Sequence, residues 1–373
     1  MIAPSLSRLR AQFDWPLAFG ILAVIAIGLV NLYSATRVAP RGLYSTQLMW
    51  FGIGAALFVL VATVDYRFYE RMAPVIYGAC LVLVVAVLFV GANVKGSRRW
   101  IGFGLFGIQP SEPMKIATIL LLSKLLSADK NDLRARGPRT VAWTLAIVGA
   151  PAVLILRQPD LGTAALLYVI GMTMVLFSQL GPVAKTIEAL LAPVSVAFRL
   201  FLAWVRLWPF KDYQRKRLEV FLDPQSDPSG AGYHARQSVY AIGSGRWTGK
   251  GYLHGTQNRL KFLPEHWTDF PFAVWAEEWG LAGSLLLLAC YLFLILWALG
   301  VSATARDRFG QVLALGVAAL LFWHTVVNIG MVTGVLPVVG VTLPLVSYGG
   351  SSLLTVMVSL GLLMNVSIRR YAY

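Results

Sequence analysis

The sequence predicts an all-α polytopic membrane protein of about ten transmembrane helices, with a large extracytoplasmic loop between helices 7 and 8. Three observations predict it. Of the 373 residues 57% are hydrophobic and only 13% are charged, where a soluble domain averages about 25% charged. The apolar residues gather in runs near the roughly 20 residues that cross a bilayer. The Lys and Arg residues are shared unequally between alternate short loops, the bias that sets membrane orientation.

The predicted spans follow in order. The first runs from about Pro16 to Tyr33, the second from Leu48 to Val64 and the third from Pro74 to Val90. The fourth, Pro113 to Ser127, is short and carries Lys115 and Lys124; the fifth is Thr140 to Leu156 and the sixth Leu161 to Ser178. The seventh, Thr186 to Trp208, is interrupted by Glu188, Pro193, Arg199 and Arg206. The eighth, Phe270 to Gly300, is too long to be straight; the ninth is Val312 to Val332 and the tenth Ser351 to Ile368. No repeat of fixed period appears, so residues 1–373 read as a single membrane domain. The polar stretch before the first run is short and that run is long enough to span, so no cleavable signal is expected.

With the N-terminus inside, the inner segments hold 13 Lys or Arg residues and the outer short loops hold 6. Both termini are therefore expected in the cytoplasm of a bacterial inner membrane, with the loop of about 209–269 outside. Long loops cross largely regardless of charge. The net charge of +15 suits loops that face anionic headgroups or anionic substrates. Nucleic acid is excluded as a partner, because the basic residues are scattered among loops between apolar spans. Cys80 and Cys290 lie inside apolar runs and imply no disulfide.

Several motifs lead nowhere. Gly102 to Gly107 fits G-x-G-x-x-G without a βαβ unit around it. Gly249-Lys250-Gly251 resembles part of a phosphate loop, yet Ser244 stands where the first Gly is needed. His234, His254, His266 and His324 show no zinc-ligand spacing, and no metal site is expected from them.

The polar residues that remain fall in outer clusters. The organising one is Asp269, at the mouth of the eighth span between aromatic residues, with Glu277 and Glu278 inside that span. Ionisable groups at membrane depth are costly and mark function by default; the alternative is a helix-capping Asp. Arg98 and Arg99 precede Gln109-Pro110-Ser111-Glu112-Pro113-Met114-Lys115, where Glu112 and Lys115 are i,i+3 neighbours. Either they form an ion pair that lets both charges enter a bundle, or they face substrate. Arg98 and Arg99 hold headgroups or grip a phosphate. Asp160 lies between two spans with almost no loop, as an N-cap or as a buried or cavity-facing carboxylate. In the large loop, Lys250 and Gln257 are donors for phosphate or sugar hydroxyls among closely spaced glycines. Ser347, Gly349 and Ser351 end an uncharged loop at a helix start, a ready anion site or a re-entrant packing loop. Asn328, in the preceding span, reads as an interhelical hydrogen-bonding residue.

Taken together, these residues resemble the SEDS family of polytopic peptidoglycan polymerases (shape, elongation, division and sporulation) over nearly the whole chain. The resemblance rests on Arg98 to Lys115 with its Pro-Ser-Glu core, Gln158 to Thr163, and Gln237-Ser238 with Ala241 to Gly245. It rests equally on Pro264-Glu265, Thr268 to Phe270, Glu277-Glu278, and Leu343 to Ser352. His254 to Gln257 and the short tails are closer to the elongation branch than to the division branch. The chain departs from the family at Trp267, where His is usual, and at Pro271, where Ile or a similar residue is usual.

The resemblance implies polymerisation of lipid II into glycan strands. For that reaction Asp269 is expected to act as general base, with inversion at the MurNAc anomeric carbon and release of undecaprenyl pyrophosphate. Arg98, Arg99 and Lys115 would then stabilise the leaving group, with a divalent cation, Mg2+ or Mn2+, as a possible helper. Glu112 and Asp160 would shape the cavity. The implied partners are a class B penicillin-binding protein as transpeptidase and the elongation machinery. A flippase for the same lipid is the alternative.

Overall fold

Three aspartates start three of the long helices. Asp14 Oδ1 accepts from Leu17 N at 3.2 Å, Asp65 Oδ1 from Arg67 N at 2.9 Å and Asp307 Oδ1 from Gly310 N at 2.8 Å. Each satisfies an amide that the first helical turn leaves unpaired. The computed structural model describes residues 13–37, 42–94, 97–102, 107–128, 138–178, 221, 230–260, 262–263 and 266–370. The helices are α1 (Trp15–Thr36), α2 (Leu43–Thr63), α3 (Tyr66–Val90), α4 (Ser111–Ser127), α5 (Pro138–Arg157) and α6 (Leu161–Ser178). They continue with α7 (Ala231–Gly245), the one-turn α8 (Thr256–Arg259), α9 (Pro271–Thr304), α10 (Arg308–Val332) and α11 (Gly350–Arg369). A small antiparallel hairpin, β1 (Ala92–Val94) and β2 (Ser97–Trp100), pairs Asn93 with Arg98 between α3 and α4.

The architecture is an all-α polytopic membrane fold. Six helices, α1, α2, α3, α9, α10 and α11, are long and apolar enough to cross a bilayer, and α5 and α6 carry shorter apolar stretches. Together with α4 these nine match nine of the ten predicted spans; the seventh, about 186–208, lies outside the described residues. One boundary moves. α3 begins at Tyr66, with Pro74 inside it, because Asp65 supplies the cap one turn and more ahead of the proline. The segment from Gly232, expected as a glycine-punctuated loop, is the helix α7.

α10 and α11 form the centre, with 72% and 83% of their apolar stretches buried. α2 and α3 are the lipid-facing periphery, at 28% and 22%. α11 packs along α2, α9 against α10, α1 and α7, and α10 also against α4 and α6. Small residues permit these approaches: a Cβ at Gly316 of α10 would sit 2.5 Å from Ile119 Cγ2 of α4.

α9 breaks at Gly280, whose φ of 63° and ψ of −158° are not helical. The segment after α7 repairs the break. Lys250 N and Gly251 N each donate at 3.0 Å to the carbonyls of Glu277 and Glu278. Leu281 N and Ala282 N donate to the carbonyls of Arg246 and Trp247, at 2.8 and 3.1 Å. A broken helix at membrane depth is tolerated where other protein groups satisfy the freed backbone. Gly249 and Gly280 are required there, since a Cβ at Gly280 would lie 2.4 Å from Gly249 N. Gly249-Lys250-Gly251 is thus a backbone splice.

Candidate active site

Asp269 lies in a turn, 266–269, immediately before α9, and is half-buried. It does not cap the helix: the N-cap is Phe270, with no side-chain cap bond, and Pro271 follows at the first helical turn. The capping alternative for Asp269 is therefore displaced by one residue. The carboxylate instead faces the segment 333–349, where a Cβ built on Gly340 would be 3.5 Å from Asp269 Oδ2. Gly340 has φ +74, which favours glycine.

That segment is gripped from several helices, and each grip uses its backbone. Asn328 Nδ2 of α10 donates to Val341 O at 2.6 Å and to Asp269 O at 3.0 Å, tying the segment to the carboxylate's own residue. Tyr348 N donates to Trp267 O at 2.8 Å. Gln47 of α2 donates to Ser347 O at 3.3 Å and accepts from Gly349 N at 3.2 Å. Tyr291 Oη of α9 donates to Pro344 O at 2.6 Å. A Cβ at Gly162 of α6 would lie 2.7 Å from Val339 O. Burial pushes the Tyr348 phenol above its usual range.

Lys115 reaches the same segment through His324, while Asp160 and Arg99 form a group with Gln109. Lys115 Nζ is 2.8 Å from Glu112 Oε1 and 2.9 Å from His324 Nε2, and Lys115 and His324 are each only 1% exposed. An ammonium has only donors, so His324 Nε2 accepts. The ring is then neutral with its proton on Nδ1, which donates to Thr342 O at 3.2 Å. Asp160 Oδ1 caps α6 by accepting from Thr163 N at 3.1 Å, while Oδ2 accepts from Gln109 Nε2 at 3.0 Å and lies 3.6 Å from Arg99. Asp160 thus caps the helix and is buried against Gln109 and Arg99. Arg99 also donates to the carbonyls of Gln158 and Pro159. Ser351 Oγ accepts from Gln109 N at 3.1 Å, and Ser352 Oγ is 2.6 Å from Thr342 Oγ1. Ser347 Oγ accepts from Leu343 N at 2.7 Å, closing its own turn. The side chain of Arg98 lies outside the described residues, as do Pro264 and Glu265.

Lys250 and Gln257 join a second group around Glu277, further along α9. Glu277 Oε1 accepts from Lys250 Nζ at 2.6 Å and from Thr256 N and Oγ1 at 2.9 Å each, and Gln257 N donates to the same carboxylate at 3.2 Å. Ser34 of α1 donates to Glu278 Oε1. His266 lies against Leu263 O and Ala35 O, so it anchors the turn to α1.

Known proteins share this arrangement of sequence and fold. The family described as "Cell cycle protein", FtsW/RodA/SpoVE, matches residues 14–372. The chain belongs to this family. It is 41% identical over 367 residues to "Peptidoglycan glycosyltransferase MrdB" of Escherichia coli (strain K12), covering 97% of this chain and 95% of that one. It is 33% identical over 434 residues to "Peptidoglycan glycosyltransferase RodA" of Treponema pallidum (strain Nichols), covering 96% and 98%. A structure titled for "polymerization and crosslinking by a peptidoglycan synthase complex" aligns with TM-score 0.78 at 31% identity, over 97% and 99% of the two chains. The rod shape determining protein RodA of Thermus thermophilus aligns with TM-score 0.70 at 30% identity, over 97% and 98%.

Within this FtsW/RodA/SpoVE protein, Ser347 and Gly349 lie on the loop that the Asp269 carboxylate faces, Glu112 and Lys115 join it through His324, and Arg99 and Asp160 connect to Ser351 through Gln109. Lys250 and Gln257 are organised by Glu277 instead. His324 carries no weight in a search for metal spacing, yet it joins Lys115 to the loop. The available signal is its i,i+4 spacing from Asn328 inside an apolar span. Among the described residues no group of three or more His, Cys, Asp or Glu side chains could hold a metal ion.

Proposed function

We propose that this chain, a peptidoglycan glycosyltransferase by family, polymerises lipid II during elongation with Asp269 as general base. One observation carries the assignment. The N-cap position is Phe270 and not Asp269, and the Asp269 carboxylate lies toward Gly340, on the loop that also carries Ser347 and Gly349. The relatives named MrdB and RodA support the reaction class and the elongation branch.

In this mechanism Asp269 takes the proton from the 4-hydroxyl of the acceptor GlcNAc. The oxygen attacks C1 of the lipid-linked MurNAc. The new C1–O bond forms as the bond to pyrophosphate breaks, with inversion, and undecaprenyl pyrophosphate leaves with the electron pair. A positioned base contributes about 10²–10⁴-fold. Arg99, half-buried and aligned by Asp160, stabilises the leaving charge together with Arg98. Lys115, committed to Glu112 and His324, adds its field from a distance. A Mg2+ or Mn2+ ion would draw most of its oxygen ligands from the substrate's pyrophosphate. We place this end of the bundle outside the inner membrane and both termini in the cytoplasm, from the Lys and Arg bias. The partner is a class B penicillin-binding transpeptidase, in keeping with the aligned synthase complex.

The test is polymerisation of lipid II by purified full-length protein. Asp269→Asn keeps the side-chain shape and is expected to lower the rate at least 100-fold. A parental rate in that variant sinks the assignment. A protein that moves lipid II between leaflets and forms no glycan would establish the transport alternative.

A further inference from the structure

Two side chains one turn apart on α10 grip two consecutive carbonyls of the loop. Asn328 holds Val341 O at 2.6 Å and His324 holds Thr342 O at 3.2 Å. Positions i and i+4 lie on one helix face, so α10 acts as a ruler for residues 341–342. The adjacent residue, Gly340, is the one that Asp269 Oδ2 faces. Asn328 also holds the backbone of Asp269. The loop and the carboxylate are therefore referenced to the same helix face.

His324 differs from Asn328 in one respect. An amide always offers a donor, whereas a neutral imidazole offers its proton on either nitrogen. The ammonium of Lys115, 2.9 Å from Nε2, removes that freedom. It occupies the Nε2 lone pair and leaves Nδ1 as the donor. Glu112 Oε1, 2.8 Å from the same Nζ, pairs with Lys115 inside the bundle. The order Glu112, Lys115, His324, Thr342 O is thus a buried line in which each group fixes the next.

We propose that His324 is a positioning residue for the reaction at Asp269, setting the 340–342 backbone through its Nδ1–H, with the Glu112–Lys115 pair fixing its tautomer. The proposal rests on the general-base assignment of Asp269. It assigns to the buried ion pair the task of aligning a backbone.

Two substitutions separate the halves of the line. His324→Asn places an amide where Nδ1 stands, reaching Thr342 O and not Lys115. His324→Gln places an amide where Nε2 stands, reaching Lys115 and not Thr342 O. Both are measured as full-length, monodisperse protein polymerising lipid II, with kcat, KM and thermal midpoint determined for each. A displacement of about 1 Å can cost 100-fold in rate. His324→Gln is therefore expected to lose about tenfold or more in kcat with KM within about twofold. His324→Asn is expected to stay within about threefold of the parent. Equal losses in both variants would mean that the histidine only fills space, and the proposal falls. It falls equally if His324→Gln keeps the parental kcat. Asp269→Asn runs beside them. If it is inactive while His324→Gln is parental, the base assignment stands and this proposal alone fails. If it is active, the base assignment is what fails.

Discussion

The pair Lys250–Glu277 offers a quantitative test of how the large loop is held. Glu277 is fully buried, and its carboxylate collects Lys250 Nζ at 2.6 Å, Thr256 N and Oγ1 at 2.9 Å and Gln257 N at 3.2 Å. Hydrogen bonds to charged groups contribute about 1.5–3 kcal/mol each. Lys250→Met removes one of them. The ammonium is 27% exposed, so solvent screening lowers the expected loss to about 1–2 kcal/mol. Glu277→Gln keeps the shape but turns one donor-accepting oxygen into an NH2 that faces other donors, for an expected loss of about 2–3 kcal/mol. In the double variant the neutral amide no longer needs the cation. Its loss should match that of Glu277→Gln alone, giving a coupling of about 1–2 kcal/mol. The assay is denaturant or thermal unfolding in detergent, paired with hydrogen exchange on residues 253–260, whose amides should open first. Losses that simply add, or exchange in α8 unchanged by either single substitution, refute the reasoning.

Other expectations follow from single sites. Asp14 caps α1 and also accepts from Trp297 Nε1 at 2.9 Å, from Ser367 Oγ and from Arg370 at 3.3 Å, joining the ends of α1, α9 and α11. Asp14→Ala should lower stability by about 2–4 kcal/mol, the cap plus a stranded buried donor set, read as a lower unfolding midpoint. The Tyr348 phenol is raised by burial above its ordinary value of 10.0. A raised folded-state value means that its contribution is whole below about pH 10 and fades as pH climbs through the folded value. Difference absorbance titration of the parent against Tyr348→Phe should show one tyrosine ionising late.

Much of the candidate site could be read from residue types, because it depends on local spacing. Glu112 and Lys115 are i,i+3 neighbours, and their ion pair follows from helix geometry. Asp160 sits before a span, and its cap follows from the same logic. Gly249-Lys250-Gly251 was ambiguous, since closely spaced glycines allow any close backbone approach. Only the break at Gly280 reveals that the approach is to α9. The spacing of His324 from Asn328 marks a shared helix face but not its partners, because Lys115 and Thr342 belong to another helix and to a loop.

Composition and the spacing of apolar runs by themselves determined nine of the helices and the bend in the eighth span, because lipid solvent rewards length and hydropathy locally. They also placed Asp269 at a helix mouth. The tertiary structure alone decided that residues 333–349 are the hub. Gln47 and Ser347 meet across 300 residues of chain, a contact no local pattern encodes. The reason is that a loop inside an apolar bundle must find every hydrogen-bond partner from whatever helices surround it. Those partners are specified by packing and not by neighbours in sequence.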